Sequence, residues 1–142
     1  MADGGGPRDR PVEPQGSAQP IVRTVAEAAE LLRPFFAGAR GERIAVLHLA
    51  ARADLIRVTR FPGSLGDAEV PVRRILRQAL RFGSVALIVA HNHPSGNAAP
   101  SEEDREATAY FAETARRLGI ELRDHLIFAG DDCMSFRSLG LL

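Results

Sequence analysis

The chain has 142 residues, 18 basic and 18 acidic, and its formal net charge at pH 7 is zero. This balance argues against a general nucleic-acid-binding surface. No apolar run is long enough for a membrane span or a signal-peptide core. The single cysteine, Cys133, excludes a disulfide framework or a zinc site of several cysteines within one chain. We therefore expect one small cytoplasmic domain without membrane contact.

The first twenty residues are rich in Gly, Pro and charged residues and contain almost no aliphatic ones. Such a segment buries too little apolar surface to offset the entropy of ordering the chain. Residues 1–20 are therefore predicted to be a disordered polar tail. Residues 21–142 remain, and their length is that of one domain.

The rest of the chain alternates helical and extended patterns, bounded by capping residues, glycines and prolines. The predicted elements, in chain order, are a helix capped by Thr24 and ending near Gly38, strands at 42–50 and 55–61, a helix at 71–82, a strand at 84–90 that continues towards 93, a helix from Ser101 to Leu118, and short strands at 121–128 and 133–136. This order favours an α+β fold in which helices cover a mixed sheet.

Two histidines follow the predicted strand at 84–90, within the run His-Asn-His-Pro-Ser-Gly. The two-residue period of an extended chain places His91 and His93 on the same face. Pro94 restricts the residue before it to extended conformations, so His93 cannot enter a helix. The two imidazole rings are therefore expected to point to the same place.

A carboxylate eleven residues after the second histidine completes the pattern. Ser101 is a good helix N-cap, and Asp104 occupies the capping-box position on the helix face that points to the core. Two imidazoles and one carboxylate are a ligand set of catalytic zinc, with water at the fourth position. His91, His93 and Asp104 are thus predicted metal ligands. The alternative is that Ser101 and Asp104 only cap the helix while the histidines form hydrogen bonds within a loop.

The pattern H-N-H-P-S-G-x-x-x-P-S-x-x-D resembles the metal motif of the RadC branch of the JAB/MPN (JAMM) metalloproteases. The likeness runs from about Ile21 to the C-terminus. Asn92 points to the RadC branch, because other JAMM proteins usually have Ser or Thr between the histidines. The resemblance implies a single JAB/MPN-like domain with cytidine-deaminase-like layering, Zn²⁺ as cofactor, and hydrolysis of a peptide, isopeptide or small amide substrate.

A zinc hydrolase also needs a general base and a stabiliser of the oxyanion. Catalytic Glu residues of JAMM proteins lie just ahead of a strand such as the one that follows Glu42, so the resemblance makes Glu42 the predicted base. Glu69, before the next helix, is the alternative. The family analogue of Ser101 donates a hydrogen bond to the oxyanion, while a pure N-cap is the alternative role. His48 and His125 are expected to be core residues rather than ligands.

A second function is suggested by Arg73, Arg77 and Arg81, which lie on one stripe of the predicted helix at 71–82. Such a stripe is usually a solvated face, and contact with nucleic acid is expected to be weak. RadC-like proteins usually carry a helical N-terminal region related to DNA-binding elements, and this chain has the polar tail there. The alternative function is a DNA-repair-associated nucleic-acid or protein-interaction module without peptidase activity. The sequence does not specify the oligomeric state.

Overall fold

The computed structural model describes residues 8–11, 19–65 and 69–142. The strands are β1 (Arg8–Pro11), β2 (Arg43–Leu49), β3 (Leu55–Pro62), β4 (Ala86–Asn92), β5 (Glu121–Ala129) and β6 (Asp132–Ser135), and the helices are α1 (Val25–Leu32), α2 (Glu69–Phe82) and α3 (Glu102–Arg117). One sheet contains all six strands in the order β1-β3-β2-β4-β5-β6. The β4–β5 pair is parallel and the other pairs are antiparallel. The predicted α+β fold with a mixed sheet is confirmed.

Alternating side chains of β4 separate the two faces of the sheet. Ile88 and Ala90 pack in a cluster with Leu32 of α1, on one face. Leu87 and Val89 pack on the other face in a cluster that is completed by α2 and α3. His91 continues this second series and therefore lies on the face covered by α3.

The boundaries of two helices differ from the predicted ones for reasons that involve proline. The first helix ends at Leu32 instead of near Gly38, and a 3₁₀ turn, Arg33–Phe35, follows it. Pro34 explains this end, because its ring clashes with the preceding turn and it has no N–H for a helical hydrogen bond. The second helix begins at Glu69 instead of Pro71, since proline is tolerated in the first turn of a helix.

Most of the predicted disordered tail, residues 1–7 and 12–18, lies outside the described residues, and the prediction stays a prediction there. Residues 8–11 form the edge strand β1, whose pairing runs from Arg8 opposite Arg60 to Pro11 opposite Arg57. Pairing at a sheet edge uses backbone groups that nearly every residue has, so a polar composition does not exclude it. Within the described ranges, no helix combines the length and apolar content needed to cross a membrane.

Candidate metal centre

The two histidines of the motif lie at the end of β4, where the sheet fixes their backbone. His91 belongs to the strand, between β2 and β5. His93 follows the strand, and its N–H donates to the carbonyl oxygen of Phe128 at 2.8 Å, which keeps the extended chain attached to β5. The two Nε2 atoms are 3.0 Å apart, as the two-residue period predicts for rings on one face.

The N-terminal cap of α3 brings the third candidate ligand to the same place. Ser101 Oγ accepts from the N–H of Asp104 at 3.0 Å, and Asp104 Oδ2 accepts from the N–H of Ser101 at 2.9 Å. The Asp104 carboxylate also reaches both rings: Oδ2 is 3.0 Å from His93 Nε2, and Oδ1 is 3.3 Å from His91 Nε2. The structure therefore assembles the three candidate ligands that the sequence pattern brought together.

Asp104 is ionised at neutral pH although it is buried. Burial by itself raises the pKa of this carboxyl group, but interaction with the neighbouring His91 ring and the hydrogen bond from the Ser101 N–H outweigh burial and hold the pKa well below its ordinary value. The partial positive charge at the start of α3 also favours a carboxylate there. The site thus contains one buried negative charge next to two imidazoles.

The spacing of the three donor atoms fits a metal ion. Tetrahedral zinc with N and O ligands at about 2.0–2.2 Å has neighbouring ligand atoms about 3.3–3.6 Å apart. The two Nε2 atoms are 3.0 Å apart, one oxygen of Asp104 is 3.0 Å from His93 Nε2 and its other oxygen is 3.3 Å from His91 Nε2, and with one ligand atom from each residue all lie within 4.8 Å of one another. His91, His93 and Asp104 are thus a candidate metal site that leaves a fourth position open.

Hydrogen bonding at His93 supports the same conclusion on chemical grounds. His93 Nδ1 is 2.8 Å from the carbonyl oxygen of Asn97, which can only accept, so Nδ1 carries the hydrogen. The Nε2 atom of the neutral ring then has a lone pair, 3.0 Å from the Oδ2 atom of Asp104, which is also an acceptor. Two acceptors at this distance repel each other unless a proton or a cation lies between them. This donor set fits a cation.

His125 lies behind His91 as a buried partner and not as a member of the metal cluster, in agreement with the expectation from sequence. Its Nε2 is 2.7 Å from His91 Nδ1, and its Nδ1 is 2.6 Å from Thr108 Oγ1. Burial lowers the pKa of His125 well below its ordinary value, so the ring is neutral. Sequence reasoning missed this contact, although Thr108 follows Asp104 by one helical turn on the same face.

Asn92 turns to the other face of β4 and holds the backbone on both sides of Glu42. Its Oδ1 accepts from the N–H of Arg43 at 2.7 Å, and its Nδ2 donates to the carbonyl oxygen of Gly41 at 3.0 Å. A Ser side chain at this position could not reach both groups as a planar amide does, because it offers a single shorter hydroxyl. The motif residue Asn92 therefore connects the end of β4 to the segment of the candidate base.

The register of the sheet, extended beyond the first residue of β2, puts Glu42 at the same end of the sheet as the candidate metal site. Ile44 pairs with His91 across β2 and β4, so the same antiparallel register continued by two residues sets Glu42 opposite His93. Glu42 shares strand parity with Ile44 and therefore the face of His91. The residue is exposed. The side chain of the alternative base, Glu69, lies outside the part of the structure that is described.

The hydroxyl group of Ser101 retains a hydrogen that the helix cap does not use. Its oxygen accepts the cap bond from Asp104, and a hydroxyl can accept and donate at the same time. Ser101 is exposed at the mouth of the site. Both roles considered for this residue are compatible with its position.

A cavity of about 420 Å³ lies at the end of β4 on the α1 face of the sheet, and His93 and Asn92 form part of its lining. Phe36 and Phe128, whose rings stack at 5.0 Å, contribute aromatic surface. The Arg33 guanidinium lies 5.4 Å from the centre of the Phe128 ring. The cavity thus presents both apolar surface and a cation within reach of His93.

Other residues considered in the sequence are exposed or structural. Arg73, Arg77 and Arg81 are exposed on α2, as a solvated face would be, and nucleic-acid binding by this stripe stays a prediction. Cys133 is partly buried, and burial raises the pKa of its thiol, which disfavours a nucleophilic thiolate. His48 is fully buried between Ser84 and Thr59.

Comparison with known proteins gives a consistent result. Residues 22–141 match the family described as RadC-like JAB domain. The chain is 37% identical to the UPF0758 protein YfjY of Escherichia coli over 124 residues, which are 86% of this chain and 78% of that protein. Over 102 residues it is 43% identical to the UPF0758 protein Bpet3149 of Bordetella petrii, covering 71% of this chain but 45%, less than half, of that relative. The names of these relatives state no activity. The chain belongs to the RadC-like JAB domain family.

Proposed function

We propose that the protein is a zinc-dependent hydrolase of amide or isopeptide bonds that acts in the cytoplasm. The observation that carries this proposal is the convergence of two imidazole nitrogens and one ionised carboxylate, 3.0–3.3 Å apart, at the N-terminus of α3. His91, His93 and Asp104 would hold the zinc ion, which when bound would supply Lewis-acid activation of water and of the scissile carbonyl group. Membership of a JAB-domain family supports the same class of reaction.

Glu42 acts as the general base in this proposal. Its carboxylate accepts a proton from the attacking water and delivers it to the nitrogen atom of the leaving amine. Two features support this role: the strand register directs Glu42 to the face of His91, and Asn92 fixes the backbone on both sides of it. Glu42 is not among the clustered ligand atoms, which suits a general base rather than a ligand.

Ser101 assists by donating its free hydroxyl hydrogen to the oxyanion that forms when water adds to the carbonyl carbon. One preorganised donor of this kind typically contributes about 10²–10³-fold to the rate. The capping bond from the Asp104 N–H uses a lone pair of the Ser101 oxygen and leaves its hydrogen available for the substrate.

The substrate is a peptide, an isopeptide or a small amide, and the cavity would hold a substrate group that extends past His93 to the α1 face of the sheet. A volume of about 420 Å³ is within the range of small-ligand pockets. Phe36 and Phe128 would contact an apolar group of the substrate, and Arg33 would contact an acceptor or an anionic group.

The experiment that tests this function replaces Glu42 by Gln in the full chain. The change removes the proton acceptor and keeps size and polarity. Zinc content and melting temperature should stay near those of the wild type, while hydrolysis of the best substrate from a library of peptide and isopeptide amides should fall by about 10²–10⁴-fold. Glu103→Gln, an exposed carboxylate in the first turn of α3, is the matched control and should keep full activity.

The alternative base is tested in the same assay. Unchanged turnover in Glu42→Gln with an inactive Glu69→Gln would transfer the role to Glu69. Loss of zinc from Glu42→Gln would instead make Glu42 a ligand. If both variants remain fully active, the proposed mechanism is wrong.

A further inference from the structure

The hydrogen bonds behind His91 have a fixed direction that begins at Thr108. Thr108 Oγ1 is 2.6 Å from the carbonyl oxygen of Asp104 and 2.6 Å from Nδ1 of His125. A hydroxyl group has one hydrogen, and a carbonyl oxygen can only accept. Thr108 therefore donates to the Asp104 carbonyl and accepts from an N–H at His125 Nδ1.

The same order of donors and acceptors continues from His125 to His91. With its hydrogen on Nδ1, the uncharged His125 ring has a lone pair on Nε2, which lies 2.7 Å from His91 Nδ1. The contact is a hydrogen bond only if His91 carries its hydrogen on Nδ1. The other nitrogen of His91, Nε2, then presents its lone pair to Asp104 and His93, as a metal ligand must.

The position of His125 is itself fixed, by a stacking contact to its ring and by a hydrogen bond from its backbone. The ring stacks on Phe136, with centroids 4.5 Å apart and an interplanar angle of 14°. The backbone N–H of His125 donates to Asp124 Oδ1, while Asp124 Oδ2 accepts from the Ser135 hydroxyl. These contacts give Asp124, Ser135 and Phe136 a structural role around His125.

We propose that Thr108 and His125 are positioning residues that fix the tautomer of His91 and direct its Nε2 lone pair to the bound metal ion. The inference rests on the metal site of the proposed function, but it does not depend on which bond the protein hydrolyses. Outer partners of this kind typically change metal affinity by about 10–100-fold. The expected ligand is a divalent cation that prefers imidazole nitrogen, such as zinc.

Two substitutions of Thr108 distinguish the role of its hydroxyl group from the role of its side-chain volume. Thr108→Val keeps the shape but removes both the donor and the acceptor, so His125 can place its hydrogen on Nε2 and force the His91 hydrogen onto the metal-facing nitrogen. Thr108→Ser restores the hydroxyl. Thr59→Val is the matched control, because it removes a buried hydroxyl that contacts another histidine, His48, which is not part of the metal cluster.

The measurements are the zinc dissociation constant, from competition with a chelator, and the ring-nitrogen NMR shifts of the metal-free protein. Thr108→Val should bind zinc about 10–100-fold more weakly and lose the Nδ1–H form of His125, while Thr108→Ser and Thr59→Val should remain within about threefold of the wild type. Thr108→Ala provides the same loss if Thr108→Val does not fold. Wild-type zinc affinity in a folded Thr108→Val or Thr108→Ala variant would overturn the inference.

The outcomes also separate this inference from the proposed function. If the wild type binds zinc with the expected dependence on Thr108 but hydrolyses no amide, the proposed hydrolase is wrong and the positioning role stands. If the wild type binds no stoichiometric zinc, both are wrong.

Discussion

Two buried histidines on the same face of the sheet, His48 in β2 and His91 in β4, have surroundings that differ in one chemical respect. The nitrogens of His48 face the hydroxyl groups of Ser84 and Thr59, at 3.0 and 3.1 Å. A hydroxyl can donate or accept, so this environment suits either neutral tautomer of His48. His91 Nδ1 instead faces His125, whose hydrogen is directed to Thr108 because Thr108 must donate to the Asp104 carbonyl oxygen, and the tautomer of His91 is fixed. A buried histidine indicates a metal site only when its partners leave a lone pair that faces an anion.

The surroundings of His48 and of the metal centre also differ in the charge that they stabilise. Burial, with a smaller contribution from Arg57, lowers the pKa of His48 to about 4, so this ring stays neutral in the core. At the metal centre, the hydrogen bonds of Asp104 keep its carboxylate ionised despite burial. A cation is therefore stabilised next to His91, whereas a positive charge at His48 is destabilised.

The largest expected effect is the loss of metal after removal of one ligand. His93→Ala and Asp104→Ala should each reduce zinc from about one ion per chain to an undetectable amount, because two ligands do not hold zinc against dialysis. His48→Ala should retain zinc although it removes an imidazole that is more deeply buried than that of His93. The metal content of the dialysed proteins is the measurement. Full zinc occupancy in His93→Ala would contradict the ligand assignment.

An intermediate effect is expected in the dependence of stability on pH. The pKa of His48 is about 4 in the folded protein, whereas the ordinary value for a histidine without such surroundings, as in the unfolded chain, is 6.5. As the pH falls from 6.5 to 4, the unfolded chain takes up a proton at His48 that the folded chain does not, so the free energy of unfolding decreases by about 3 kcal/mol from this group. His48→Gln should lack this contribution. Urea unfolding at several pH values checks it, and equal slopes for the two proteins would refute it.

The smallest expected effect on stability concerns the two capping boxes, at Thr24 and Ser101. Thr24→Ala and Ser101→Ala should each lower the free energy of unfolding by about 1 kcal/mol, since each removes one cap acceptor. Hydrolysis should decrease only in Ser101→Ala, because Thr24 belongs to the cap of α1 rather than to the cap at the metal centre. Similar activity in both variants would leave Ser101 with a capping role alone.

The local part of the candidate site could be predicted from the sequence, because it depends on short-range geometry. The two-residue period brought His91 and His93 together, and the capping box placed Asp104 at the start of its helix. Both patterns act over a few residues, so neither requires knowledge of which strands pair.

The remainder of the site depends on contacts between distant segments, which one sequence does not contain. His125 reaches His91 because β4 and β5 pair in parallel, with Val89 opposite His125. Asn92 reaches the backbone of Arg43 because β2 lies on the other side of β4. The edge strand β1 was missed for a related reason, since main-chain pairing leaves no signature in side-chain composition.

The most direct test of the metal centre is the assignment of ring-nitrogen NMR signals in the zinc-loaded full chain. We predict that His91 and His93 both bind zinc through Nε2 and both keep a hydrogen on Nδ1, as their contacts with His125 and Asn97 require. The ring signals of His48 should not change when zinc is added. A hydrogen on Nε2 of either His91 or His93 in the loaded protein, or ring signals of both that do not respond to zinc, would contradict the account.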